Sequence, residues 1–291
     1  MTKSASPASL IAFQGMPGAY SDLACRIAYP GFATLPCEAF DDAFAAVIER
    51  RAALAMIPIE NSVAGRVAEI HQLLPSSGLH IVAEHFLQVN HHLLAPRKAT
   101  LETVKTVHSH VQALTQCRRM IRELGLRPVV HADTAGAAAE IAGRGDLTEA
   151  AIASALAGEI YGLVSLRSNI EDAEHNTTRF VVLARDAVDA DPRKGNVLTT
   201  FVFRVRNVPA ALFKAMGGFA TNGVNMTKLE SYMVGGRFSA TLFYADVEGH
   251  PEDPSLRRAL EELTFFSHEV RVLGTYYAHP YRKDGQPAES D

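Results

Sequence analysis

Leu10-Ile11-Ala12-Phe13-Gln14-Gly15-Met16-Pro17-Gly18-Ala19-Tyr20-Ser21 sets a pattern that much of the chain repeats. Four apolar residues read as a short buried strand, and a glycine-rich turn then delivers the chain into a helix carrying Leu23, Ile27 and Ala28. The same handover recurs at Ala53–Pro58, which precedes Ile59-Glu60-Asn61-Ser62, and at Thr106–Ser109, which precedes a helix from about His110 to Gly125. It returns at Pro128–His131 before an alanine-rich helix opened by Asp133-Thr134, and at Ala150–Ala153 before the helix Ala155–Gly162, capped by Ser154. Leu79–Glu84 and Val89–Leu94 read as further strands. Alternation of this kind predicts an α/β fold with a mostly parallel sheet. Two lobes are expected, about 9–83 completed by 166–184 crossing back, and 84–165.

The crossing segment holds the most chemistry. Asn169-Ile170-Glu171-Asp172-Ala173-Glu174-His175-Asn176-Thr177-Thr178-Arg179-Phe180 runs directly into the apolar strand Val181-Val182-Leu183-Ala184. A hydroxyl, a guanidinium and an aromatic ring thus stand at the mouth of a strand, where α/β proteins place working groups. Arg179 can grip a carboxylate through two parallel hydrogen bonds, Thr178 can donate a proton, and Phe180 can exclude water. A loop with a surface ion pair is the plainer reading of the same residues.

Beyond Ala184 the pattern changes. Residues 184–195 are polar and aperiodic, as in a linker. Leu198–Val205, Val224–Val234, Arg237–Val247 and Glu269–Tyr277 then read as strands, with helices at Pro209–Gly223 and Asp253–Phe266 and a hairpin turn at Gly235-Gly236. This β-α-β-β-α-β order is ferredoxin-like. Residues 1–8 and 281–291 read as tails.

Composition narrows the function. The 291 residues are 47% hydrophobic and 21% charged, the balance of a soluble globular protein long enough for two or three units. A formal charge of −4 gives no footprint for nucleic acid, so any anion site must be local. Cys25, Cys37 and Cys117 are odd in number and lack metal-like spacing, as expected of reduced thiols in the cytoplasm. No leader or membrane-spanning run is expected at the start of the chain.

Small polar residues recur where strands yield to helices: Ser21, Asn61-Ser62, Ser109-His110, Asp133-Thr134 and Ser154. Each suits a helix N-cap worth about 1 kcal/mol. Several facing one cleft with Arg179 would instead hold a small polyanion on helix amides. The Gly15–Ser21 turn lets backbone approach a ligand closely, yet lacks the spacing of a dinucleotide fingerprint and the Lys-Ser/Thr of a P-loop. His91-His92 and the His108/His110 pair have no third ligand at convincing spacing for zinc. There is no Gly-x-Ser-x-Gly elbow. Glu60 is a candidate acid or base.

Four motifs, taken in order, closely resemble prephenate dehydratase: Gly15-Met16-Pro17-Gly18-Ala19-Tyr20-Ser21, Pro58-Ile59-Glu60-Asn61-Ser62-Val63-Ala64-Gly65, Ser109-His110-Val111-Gln112-Ala113-Leu114 and Asn176-Thr177-Thr178-Arg179-Phe180. Pro209-Ala210-Ala211-Leu212 and Asn225-Met226-Thr227-Lys228-Leu229-Glu230-Ser231 resemble the ACT regulatory domain often fused to that enzyme. The resemblance implies a catalytic domain at 9–184, two-lobed like type 2 periplasmic binding proteins, and an ACT domain at 196–280. It implies decarboxylation and dehydration of prephenate to phenylpyruvate without metal or organic cofactor, feedback inhibition by L-phenylalanine, and a homodimer or homotetramer. Thr178 is implied as the proton donor, Arg179 as a carboxylate holder and Glu60 as a further catalytic group. Ser21, Asn61, Ser62, Thr134 and Asn176 are implied to line the substrate, with Phe180 at the pocket floor. Ala210, Ala211, Leu212, Asn225, Glu230 and Ser231 are implied at the phenylalanine site.

The sequence departs from the family at Val111, where proline is common, at Ala210, where glycine is usual, and at Tyr232-Met233, where Arg-Pro is usual. Two other readings remain open: an arogenate dehydratase, and a two-lobed anion sensor without turnover.

Overall fold

The strand expected at the start is β1 (Leu10–Gln14), with Ile11, Ala12 and Phe13 fully buried. The computed structural model describes residues 6–206, 208–233 and 240–284. They divide into two units, one built from residues up to Val67 with His85–Phe180, the other from Ala68–Glu84 with Val181 onward. The expected turn at Gly235-Gly236 lies outside the described residues, as do most of the expected tails.

After β1 come α1 (Tyr20–Ala28), β2 (Ala33–Cys37), α2 (Phe40–Ile48), β3 (Leu54–Asn61), β4 (Gly65–Arg66), α3 (Ala68–Ser76) and β5 (His80–Gln88). There follow β6 (His92–Ala95), β7 (Thr106–Ser109), α4 (Val111–Gln116), α5 (Arg118–Glu123), β8 (Arg127–Val130), α6 (Thr134–Arg144), β9 (Glu149–Ala153), α7 (Ala155–Tyr161), β10 (Val164–Ser168) and β11 (Thr177–Ala184). One sheet has the order β2-β1-β3-β11-β5 with β4 attached to β3, and a second has β10-β6-β9-β7-β8. The pairs β1·β2, β1·β3, β7·β8 and β7·β9 are parallel, whereas β6 runs antiparallel to both β9 and β10. The sheets are therefore mixed.

Three local differences from the sequence reading have physical causes. β3 continues past Pro58 to Asn61, because pairing with β1 ends at Met56 and the missing Pro58 N–H interrupts no bond of that ladder. The helix expected over 110–125 breaks at Cys117 into α4 and α5. Asp172 makes the break: its N–H donates to the Gln116 carbonyl (2.6 Å), and its carboxylate accepts from the Arg119 N–H (3.1 Å). The caps also differ. Asp133 and Ser154 cap α6 and α7 as expected, but the cap of α4 is the His110 imidazole, Ala19 precedes α1, and Asn61-Ser62 opens a hairpin rather than a helix.

In the second unit, β12 (Val197–Val205), α8 (Ala211–Thr221), β13 (Met226–Met233), β14 (Ala240–Glu248), α9 (Pro254–Phe266) and β15 (Ser267–Tyr277) form a β-α-β-β-α-β array, followed by α10 (Tyr281–Asp284). The sheet order is β13-β14-β12-β15, with antiparallel neighbours. Phe201, Phe203, Ala215, Phe219, Phe243, Leu256 and Leu263 form its core. The segment before β12 is pinned at Asp189, which meets the His250 imidazole at 2.8 Å. Ala210 precedes α8 at φ 60°, ψ 15°, a left-handed conformation that costs an alanine about 1 kcal/mol.

The Gly15–Ser21 turn approaches protein rather than open space. Ser154 Oγ donates to the Gly18 carbonyl (2.6 Å), and Tyr161 Oη donates to the Pro17 carbonyl (2.8 Å). A Cβ on Gly18 would stand 2.7 Å from Ala157 Cα, and its φ is 91°. Glycine is required there twice over, by conformation and by contact with α7. Gly18→Ala is expected to lower stability by about 2 to 4 kcal/mol, read in urea as a lower midpoint at unchanged slope.

Candidate active site

Two dipeptides on neighbouring strands of the first sheet, Glu60-Asn61 on β3 and Thr178-Arg179 on β11, meet side by side. Arg179 Nη1 donates to Glu60 Oε1 at 2.9 Å, and Asn61 Nδ2 donates to Thr178 Oγ1 at 3.0 Å. Successive strand residues point to opposite faces, so the ion pair and the amide–hydroxyl pair lie on opposite sides of the sheet. Arg179 is only 3% exposed and is held against Glu60.

Asn61 organises the other face. Its Oδ1 accepts the backbone N–H groups of Val63 (3.0 Å) and Ala64 (2.8 Å) in the turn between β3 and β4. Nδ2 therefore points the other way, donating to Asn176 Oδ1 (2.8 Å) as well as to Thr178. Thr178 is thus an acceptor toward Asn61, which leaves its own proton to be given in another direction.

Ser62 fastens this arrangement. Its N–H donates to the Thr177 carbonyl (2.9 Å), the Thr177 N–H donates to Ser62 Oγ (2.9 Å), and Ser62 Oγ donates to the His175 carbonyl. The hydroxyl is thereby engaged with backbone on both sides. Asn176 is 1% exposed, its carbonyl accepting from the Val89 N–H (2.7 Å) and its Nδ2 donating to Gln116 Oε1 (3.1 Å).

A cavity of about 330 Å³ opens beside this cluster, its wall including Val63, Ala64, Gln112, Gln116, Arg118 and Asn176. Glu171 and Asp172 also border it, each carboxylate accepting a backbone N–H, from His91 and Arg119 respectively. Thr115 and Ala173 complete the wall, so Asn176 is on it, whereas Glu60, Asn61, Ser62, Thr178, Arg179, Ser21, Thr134 and Phe180 stand outside it. Ser21 is buried in the first turn of α1, Thr134 opens α6, and Phe180 is 1% exposed within β11. In the second unit Ala210, Ala211 and Leu212 begin α8, Asn225 precedes β13, and Glu230 and Ser231 lie on β13, with Glu230 3.4 Å from Lys228 Nζ.

Gln116 and Arg118 were not singled out in the sequence. Gln112 and Gln116 are four apart on α4 and share a face, which is the signal that was available. Arg118 gave none, because it reaches the cavity only through the helix break at Cys117. Burial raises the thiols of Cys25 and Cys117 far above the usual range, so neither acts as a thiolate.

The prephenate dehydratase family pattern matches residues 11–188. The chain belongs to the prephenate dehydratase family. It is 56% identical, over 94% of its length and 98% of the relative's, to a protein of Komagataeibacter europaeus named bifunctional N-acyl-homoserine lactone acylase/prephenate dehydratase. It is 40% identical to arogenate dehydratase/prephenate dehydratase 1 of Arabidopsis thaliana, over 91% of this chain and 71% of that one. The solved structure of an Arthrobacter aurescens prephenate dehydratase in complex with L-Phe superposes with a TM-score of 0.85 at 29% identity, covering 97% of this chain and 93% of that one.

Asn61→Asp would keep the acceptor for Val63 and Ala64 but turn an anionic oxygen toward Asn176 Oδ1 and Thr178 Oγ1. It is expected to lower stability by about 1 to 3 kcal/mol in urea denaturation, whereas Asn61→Ser should cost less.

Proposed function

We propose that the protein converts prephenate to phenylpyruvate, carbon dioxide and water in the cytoplasm, as a homodimer or homotetramer. The observation that carries this reading is the pinned Asn61 amide, which occupies Thr178 as an acceptor and ties it through Asn176 to a cavity of substrate size. Family membership supplies the reaction. The bond from ring carbon to carboxylate breaks, its electrons enter the ring, and the ring hydroxyl departs as the ring becomes aromatic. The departing oxygen takes a proton from Thr178, which regains one from solvent. The leaving carboxylate supplies the electron pair itself, so the protein's part is orientation, one proton and a dry pocket.

Arg118, the cation on the cavity wall, is assigned to a substrate carboxylate, and Gln116 and Asn176 to hydrogen bonds. Arg179 compensates the charge of Glu60. Ser62 fixes the hairpin, and Ser21, Thr134 and Phe180 support the walls from outside the lining.

The functional division is inferred as 9–184 for catalysis, two lobes of the type 2 periplasmic binding protein kind, and 196–280 as an ACT domain. The β-α-β-β-α-β order and the L-Phe complex of the Arthrobacter relative support L-phenylalanine as the feedback inhibitor. Ala210, Ala211, Leu212, Asn225, Glu230 and Ser231 are assigned to that effector. Among the described residues no helix is long and apolar enough to cross a membrane.

Two relatives favour further substrates. Arogenate carries an amine in place of the ketone, and the plant relative's name includes it. The Komagataeibacter name adds amide hydrolysis of N-acyl-homoserine lactones. Purified protein should release phenylpyruvate from prephenate, and parallel incubations with arogenate and an acyl-homoserine lactone decide the other two.

Thr178→Ala is expected to lower kcat about 10²-fold with KM little changed, while Thr178→Ser retains most activity. Unchanged kcat in the alanine variant would move the proton to another group. Calorimetry should show heat of binding with millimolar or lower L-phenylalanine, and its absence would remove the feedback assignment.

A further inference from the structure

The hydrogen-bond chain that ends at Thr178 begins at residues with no assigned role. His91 is 2% exposed, with Nε2 2.9 Å from Gln116 Oε1 and Nδ1 2.7 Å from Tyr20 Oη. The Tyr20 hydroxyl is also placed to donate to the Asn90 carbonyl at 2.9 Å, and its ring meets the imidazole edge-on with centroids 5.4 Å apart. Gln116 Oε1 is shared between His91 and Asn176 Nδ2. Tyr20, His91, Gln116, Asn176, Asn61 and Thr178 therefore form one unbroken chain.

The direction of every bond in it follows from one end. Backbone N–H groups of Val63 and Ala64 require the oxygen of Asn61 on their side, so its nitrogen faces Asn176. Asn176 must then present oxygen to Asn61 and nitrogen to Gln116, and Gln116 must present oxygen to both Asn176 and His91. An oxygen cannot donate, so His91 must carry its proton on Nε2. In the neutral ring Nδ1 is then a lone pair, and it shares the one proton of Tyr20 with the Asn90 carbonyl, the other acceptor within reach of that hydroxyl. With the proton on Nδ1 instead, two lone pairs would face each other at Gln116. The relief is an amide flip, which would pass along to Asn176 and set nitrogen against nitrogen at Asn61.

We propose that His91, in the Nε2–H form that the Gln116 oxygen requires, is a positioning residue that keeps Gln116 and Asn176 in the orientation by which Asn61 donates to Thr178. The inference deepens the dehydratase reading and rests on it. Burial lowers the His91 pKa, against the opposing influence of Gln116 and Glu171, which agrees with a neutral ring. Burial also raises the Tyr20 phenol, so it stays protonated and able to donate.

The tautomer is measurable without turnover. Two-bond ¹⁵N–¹H spectra of histidine-labelled protein near neutral pH, with His91 assigned by its loss in His91→Gln, should show Nε2–H and an unprotonated Nδ1. A proton on Nδ1 would overturn the proposal. Kinetically, His91→Phe should lower kcat about 10- to 100-fold while KM moves less than about threefold, as expected when reacting groups are misplaced. His91→Gln, whose side-chain N–H can reach the same Gln116 oxygen, should recover most of that loss. Equal losses in both variants, or a loss confined to KM, would overturn the positioning role. Failure of the wild-type protein to turn over prephenate would overturn the dehydratase reading, whereas turnover with an Nδ1–H His91 would overturn this proposal alone.

Discussion

A carboxamide that accepts two backbone N–H groups on its oxygen is held in one orientation, and Asn61 is such a group. Rotating it would set two amide donors against an NH₂ and lose both bonds, which in this exposed turn are worth about 0.5 to 1.5 kcal/mol each. That constraint is local, made by the turn between β3 and β4, yet its effect is long-range. It settles the donors and acceptors of Asn176, Gln116 and Thr178, none of which lies near Asn61 in the chain. A hydroxyl is ordinarily free to rotate between donating and accepting roles. Here the protein makes the choice before any ligand arrives, which is the meaning of preorganisation at the level of a single proton.

The sheet makes the meeting possible. Ser62 and Thr177 exchange hydrogen bonds that fix β3's exit against β11's entry, so two consecutive residues of one strand oppose two of the other. Strand alternation then sorts them. The charged pair Glu60–Arg179 goes to one face, and the neutral pair Asn61–Thr178 to the other. The separation has an electrostatic consequence. A guanidinium beside the Thr178 oxygen would favour its deprotonated form, whereas a carboxylate there would compete for its proton. With the ion pair on the far side, the hydroxyl sees neutral dipoles that direct its hydrogen without withdrawing it.

Much of this was legible in the residues, and the limits are physical. Short apolar runs closed by glycine or polar residues predicted the strands, and the change in rhythm after Ala184 predicted the β-α-β-β-α-β array. Pro58 misled, because a proline looks like a strand end unless one knows that its neighbour's ladder has already finished. The break at Cys117 was invisible, since the group that makes it, Asp172, comes from a distant loop. Glycine at 18 announced a close approach but not what approached, which is the α7 backbone at Ala157. Thr178, Asn61 and Asn176 could be named from motifs. Gln116 and His91 could not, because a glutamine's or a histidine's place in a donor–acceptor chain exists only once the fold has brought the other members together.

The same reasoning explains why a mildly acidic chain can host a dianionic substrate. With a formal charge of −4 there is no general attraction to draw on, and the cavity wall itself carries Glu171 and Asp172. Both carboxylates are turned to backbone donors, the His91 and Arg119 N–H groups, and Asp172 also stabilises the helix break that brings Arg118 to the wall. Acidic residues so engaged have a structural part, and Arg118 is the cation that this wall offers a substrate carboxylate. Anion recognition here is a matter of where a few groups point, and the net charge of the chain is a poor guide to it. Hydrogen bonds decide those directions, and in this protein a few backbone N–H groups decide most of the hydrogen bonds.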